Sequence, residues 1–144
     1  MKRQLMLAAM AVSLAAPVCA RDTELHLPIQ DAMNRADAQA KLNDGVKFYF
    51  GKQKYGKVDK SFGDDVANTK TNAFNKSDEE ACYWTFLSAM IKLQEKAKKL
   101  GADAVVDIES YYKKEPFVSD TEFECHAGGF VAGVALRGRY VKLK

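Results

Sequence analysis

An α+β domain, a mostly antiparallel sheet packed against one long helix, is the fold class this sequence predicts. Three observations carry it. A helical pattern with both a start and a stop signal runs from about Asp78 to Leu100. Strand-like runs follow it, separated by Gly and Pro punctuation. The chain has 144 residues and no repeat, low-complexity run or Pro/Ser-rich linker, which suits a single core. Strands and helices grouped along the chain, rather than strictly alternating, favour a helix layered on one side of a sheet.

The first residues, MKRQLMLAAMAVSLAAPVCA, have a basic head (Lys2, Arg3), an apolar middle from Leu5 to Ala16, the helix-breaking Pro17, and Val18-Cys19-Ala20 before a polar stretch. That is the pattern of a secretory signal peptide over residues 1–20, with cleavage expected after Ala20 and residues 21–144 forming one periplasmic domain. Lipidation of Cys19 is the competing reading. It calls for Gly, Ala or Ser just ahead of the cysteine, where Val18 stands. No later segment approaches the roughly 20 apolar residues of a transmembrane helix.

Arg21 to Leu27 reads as an irregular arm. Behind Pro28, a residue suited to a first helical turn, Ile29, Met33, Ala36 and Ala40 recur at helical spacing, so a short helix is expected to Leu42, ended by Asn43-Asp44-Gly45. Val46 to Phe50 is strand-like. Lys54 to Asn75 is polar with scattered Tyr55, Val58, Phe62, Val66 and Phe74, and is expected to hold one or two short strands with turns at Gly56 and Gly63-Asp64.

The long helix has a signal at every level. Ser77 with Glu80 makes a capping box, and Asp78-Glu79-Glu80 puts negative charge at the positive end of the dipole. Tyr83, Phe86, Leu87, Met90, Leu93, Ala97 and Leu100 form one stripe, with Lys92, Glu95, Lys96 and Lys99 opposite. Gly101 supplies a left-handed cap. Strands are then expected over Ala104 to Tyr112, Thr121 to His126 and Phe130 to Leu143, broken by Pro116 to Asp120 and by Gly128-Gly129. In the last strand both alternating sets, Phe130, Ala132, Val134, Leu136 and Val131, Gly133, Ala135, are apolar or small. Its first half therefore reads as buried on both faces, and the small residues as room for the long helix.

Removing the leader leaves Cys82 and Cys125. In an oxidising compartment two cysteines argue for a disulfide, and only one pairing exists. The same cleavage removes Lys2 and Arg3, leaving 20 basic against 19 acidic residues. A nucleic-acid binder normally shows a strong basic surplus, so nucleic acid is not an expected partner.

GKQKYGKV, Gly51 to Val58, comes close to a phosphate loop. Such a loop needs a Ser or Thr after the lysine for Mg²⁺ and a helix start whose N–H groups face the phosphates. Val58 stands at the hydroxyl position, and no helical stripe follows. The stretch reads as a glycine-punctuated hairpin, with no nucleotide and no cofactor expected. Cys125-His126 could suggest a thiol with its base, but strand neighbours point to opposite faces. A structural zinc site needs about four ligands, and two cysteines with His26 and His126 lack the close spacing, so no metal ligands are assigned. Asp64-Asp65 reads as a turn and Glu79-Glu80 as helix capping, rather than acid-base pairs. Trp84 and Tyr111-Tyr112 read as packing.

Several of these features carry a resemblance. A cysteine opening the helix, Gly-Ala-Asp-Ala-Val-Val at Gly101 to Val106, and a cysteine followed by Ala132-Gly133-Val134-Ala135-Leu136 make Cys82 to Leu136 resemble the periplasmic domain of the RcsF lipoproteins, outer-membrane sensors of envelope stress. The helix-to-strand passage is also similar to small YbjQ-like domains, described as candidate heavy-metal binders. The RcsF resemblance implies a bridge between Cys82 and Cys125. The second disulfide of that family would fall near Glu109 and Val131, neither of them cysteine. The whole chain, with KFYFG and NAFNKSDEEAC, is similar to short exported proteobacterial proteins that often carry an excinuclease ATPase label, a label at odds with the broken phosphate loop and the short chain.

Together these readings lead to a non-enzymatic periplasmic protein, an envelope-associated binding or stress-sensing accessory module with an envelope protein as partner. The alternative is a periplasmic metal-binding protein in which His126 and nearby carboxylates hold a cation. A hydrolase built on the carboxylates ranks last.

Overall fold

A computed structural model describes residues 21–144. The expected leader, its cleavage point and Cys19 lie outside the described residues. The expected α+β class is what the structure shows: a six-stranded, mostly antiparallel sheet with one long helix across a face. In chain order the elements are β1 (Thr23–Pro28), α1 (Ile29–Asn34), α2 (Ala36–Lys41), β2 (Lys47–Phe50), β3 (Val58–Asn72), α3 (Asp78–Leu100), β4 (Ala104–Ser110), β5 (Glu122–Ala127) and β6 (Val131–Leu143). Strand β6 is the spine. It pairs along its length with β3, and on its other edge with β5 at its start and β4 further on. Beyond these, β1 pairs antiparallel with β5, and β2 pairs parallel with β4.

Helix α3 follows its sequence signals closely. Ser77 Oγ accepts the Glu80 N–H at 3.1 Å, which satisfies one of the unpaired donors of the first turn. At the other end Gly101 adopts φ +77°, and the Ala102 N–H reaches the Ala97 carbonyl at 2.9 Å, closing the helix as a left-handed cap does. Phe86, Leu87, Met90, Leu93 and Ala97 are buried, with Tyr83 and Leu100 at the margin. Phe86 stacks on Phe123 of β5 at 4.3 Å between ring centres, and the ring of Phe50 of β2 lies 6.2 Å from it. The sulfurs of Cys82 and Cys125 lie at bonding distance in this fully buried layer, with Cα atoms 5.9 Å apart. The buried Thr69 hydroxyl of β3 meets the Thr85 carbonyl of α3 at 2.7 Å, so the polar groups at that contact are paired.

Four local expectations are corrected. The expected arm at Arg21 to Leu27 is strand β1: Leu25 and Leu27 turn toward the core while Glu24 and His26 face out, a period of two hidden in a short polar stretch. The expected single helix from Pro28 to Leu42 is two. Arg35, with ψ 144°, interrupts it, held by Glu80 at 2.9 Å and lying over the Tyr83 ring at 5.1 Å. The region from Lys54 to Asn75 forms one 15-residue strand, because β6 offers a partner along its whole length. Local sequence irregularity is absorbed as register shifts on either side of Ser61.

The fourth correction concerns Gly51 to Val58, which is not a hairpin, since β2 pairs with β4 and β3 with β6. Gly51 has φ +59°, and a Cβ there would collide with Asp120 Oδ1 and the backbone at Ser119. Asp120 accepts the Lys52 N–H at 2.6 Å, and its carbonyl accepts Gln53 Nε2 at 3.1 Å. The glycine allows two loops to lock together, and the residue after Lys57 opens a strand rather than a helix.

Strand β6 is buried on both faces from Ala132 to Leu136, as its composition suggests. Of the small residues, Ala132 lies under the long helix as expected, and Gly133 serves a different neighbour. Ala132, Val134 and Leu136 belong to the core under α3, whereas Gly133 lies against the ring of Tyr112 on the opposite face. The segment that follows β4, including a short 3-10 turn at Tyr112–Lys114, crosses this outer face and partly covers it.

Candidate functional site

The β1/β5 ladder sets the outer face of the sheet at one corner. Glu24 stands opposite His126 and His26 opposite Glu124, so two histidines and two glutamates occupy a two-by-two array on one surface. His26 Nε2 lies 2.9 Å from Glu24 Oε1, and His126 Nε2 lies 2.6 Å from Glu124 Oε1. Asp22 adds a third carboxylate, 3.2 Å from His126 Nδ1. One ligand atom each from Glu24, His26 and Glu124 lies within 4.8 Å of the others.

Both imidazoles are braced on their flat sides by the segment that crosses the outer face. His126 stacks on Tyr112 with ring centres 3.7 Å apart and planes 10° apart, and His26 stacks on Phe117 at 4.2 Å and 23°. The ring edges, where the nitrogens are, remain turned toward the carboxylates.

Next to this array, Arg21, Asp22, Lys70, Tyr112, His126 and the Gly128-Gly129 turn line a depression of about 590 Å³. Arg21 grips the start of α3 through two bonds to Asp78, at 2.7 and 3.0 Å, and donates to the Gly128 carbonyl at 2.9 Å. These hydrogen bonds hold the Asp78 carboxyl below its ordinary range. Continuous with the depression through Lys70, Phe130 and Val131 is a shallower one of about 600 Å³, where Phe74 and Phe130 stack at 5.8 Å and 10°. Phe130 is 71% exposed, Phe74 56% and Val131 49%, so the expectation that Phe130 and Val131 begin a doubly buried strand is corrected: they stand at the open end of the sheet.

The residues singled out from sequence scatter differently. Cys125 and His126 do point to opposite faces, the sulfur into the core and the imidazole outward. Asp64 pairs opposite Arg139 on β6, while His126 pairs opposite Gly133, so β6 keeps them apart. Asp65 Oδ1 accepts the Val66 N–H, and Glu80 holds Arg35. Glu109, one of the positions that would carry the second RcsF-type bridge, makes an ion pair with Arg137, whose guanidinium lies 4.0 Å from the Tyr111 ring centre. Trp84, expected to pack in the core, is corrected: it stands exposed on α3, on the side away from the buried stripe. Sequence reasoning missed Glu24, His26 and Glu124 as a group. The alternation Thr-Glu-Leu-His-Leu would have signalled a strand with His26 on its polar side.

No protein-family model, curated protein or solved structure matches this chain.

Proposed function

We propose that this chain is an exported, non-enzymatic binding module that docks onto another protein of the cell envelope. The observation that carries this reading is the Phe74–Phe130–Val131 platform. Stacked aromatic rings this exposed are costly to leave in water, and patches of this kind mark interaction surfaces on soluble domains. Lys70 and Lys76 lie at its rim, Lys76 donating to the Asn72 carbonyl, which suits an apolar segment with acidic flanks. The leader pattern, the paired cysteines and the RcsF-like run from Cys82 to Leu136 support export and a role at the envelope.

A photoreactive residue placed at position 130 in cells tests the reading, with one at Lys99, on the exposed side of α3, as control. A discrete protein adduct at 130, absent at 99 and lost on Phe74→Ser, is the expected result. Equal adducts at both positions, or none at 130, would remove the docking platform. Recovery of the protein from the cytosol with residues 1–20 attached would remove the envelope.

A further inference from the structure

We propose that the outer face of β1 and β5 binds a divalent first-row transition-metal ion, with His26, Glu24 and Glu124 as ligands and His126 as the residue that orients Glu124. It is independent of the docking reading, and its test needs no protein partner.

The donor set decides the class of ion. One imidazole nitrogen with two carboxylate oxygens is a mixed N/O set that suits Zn²⁺, Ni²⁺ or Cu²⁺, whereas Ca²⁺ and Mg²⁺ favour oxygen ligands alone. Three protein ligands leave room for water in the fourth position of a tetrahedral ion. The ligand atoms are already within 4.8 Å of one another, and Glu24, with 55% of its side chain exposed, is free to close the remaining distance.

The surroundings resemble the outer shell of a metal centre. His126 bridges Asp22 and Glu124, through Nδ1 at 3.2 Å and Nε2 at 2.6 Å, which fixes the orientation of a ligating carboxylate. Phe117 and Tyr112 hold the two rings by their faces, so little rotamer freedom is lost when a nitrogen is coordinated. Charge points the same way. Among the described residues Asp22, Glu24 and Glu124 have only histidine as an ion-pair partner, and no Lys or Arg neutralises them. Structural cross-strand ion pairs would need only one histidine per carboxylate. Here Glu124 faces both rings, being opposite His26 and bonded to His126.

The test uses the purified, disulfide-intact protein, stripped with EDTA and dialysed, then titrated calorimetrically with ZnCl₂, NiCl₂, CuCl₂ and MgCl₂. One equivalent is expected to bind, with ring-proton NMR signals of His26 shifting. His26→Ala should abolish the heat. Glu24→Gln, at an exposed position that leaves folding intact, should weaken binding at least tenfold if His26→Ala fails to fold. His126→Gln should weaken it by about 10- to 100-fold, the usual effect of losing an outer-shell partner. Asp64→Asn with Asp65→Asn should change nothing. Absence of heat at micromolar ion, or equal affinity in the wild type, Glu24→Gln and His26→Ala proteins, would overturn the site. Equal binding of MgCl₂ would replace it with a diffuse acidic surface.

Discussion

Cutting the link between Cys82 and Cys125 should remove a large part of the net stability. The two residues are 43 apart in sequence, and the entropy lost by the unfolded chain on closing a loop of that length corresponds to about 4 kcal/mol at room temperature. Typical net stabilities are roughly 5–15 kcal/mol, so the loss approaches the whole margin of a modest domain. The cleanest perturbation is reduction of the wild-type protein, which leaves every side-chain atom in place. For a urea slope near 1.5 kcal/mol/M the midpoint should fall by about 2–3 M, and the slope itself should rise as the unfolded chain expands. Cys82→Ala with Cys125→Ala should fall further, because both positions are fully buried and the missing sulfurs leave space under Phe86 and Phe123. The assay is equilibrium urea unfolding followed by far-UV circular dichroism, with and without reductant, beside thiol counting on the protein as isolated. Two free thiols in envelope-derived protein, or a midpoint unmoved by reduction, would refute the cross-link and its energetic weight together.

Three further outcomes follow from particular contacts. Gly51→Ala should destabilise by about 1–3 kcal/mol, since its φ is +59° and the new methyl meets Asp120 and the Ser119 backbone; a urea midpoint matching the wild type would count against the loop clamp. Burial pushes the Tyr140 hydroxyl up to about 12, so its ionised form is disfavoured in the fold. Stability held below the ordinary tyrosine range should be lost as pH rises from about 10 toward 12, and Tyr140→Phe should flatten that alkaline limb in urea midpoints measured across it. The Asp78 carboxyl is held low by its hydrogen bonds to Arg21, so its contribution is present at neutral pH and lost as pH falls through the acid range. The gap in midpoint between wild type and Arg21→Gln should therefore be widest at pH 7 and close toward pH 2.

How much was legible in the sequence depends on the range of the signal. Helix α3 could be read from end to end because its cap, stripe and left-handed stop are local, each set by neighbours within a turn. The same holds for β4, β5 and β6, whose runs are long enough for composition to speak. Strand β3 was underestimated because a polar edge segment becomes one continuous strand only when a partner as long as β6 lies beside it. The break at Arg35 was invisible because its causes, Glu80 and Tyr83, belong to α3.

The chain by itself determined the fold class, the long helix and the weakness of the phosphate-loop signal. Tertiary structure alone decided what the histidines can do. His26 and His126 are separated by most of the domain in sequence, and only the antiparallel register of β1 on β5 puts Glu24, His26, Glu124 and His126 on one surface. It likewise took folding to carry Phe74, at the end of one element, onto Phe130, at the start of another. Local patterns record the energetics of single elements. A site made from opposing strands is a consequence of register, and register is fixed by which residues of both strands the core accepts.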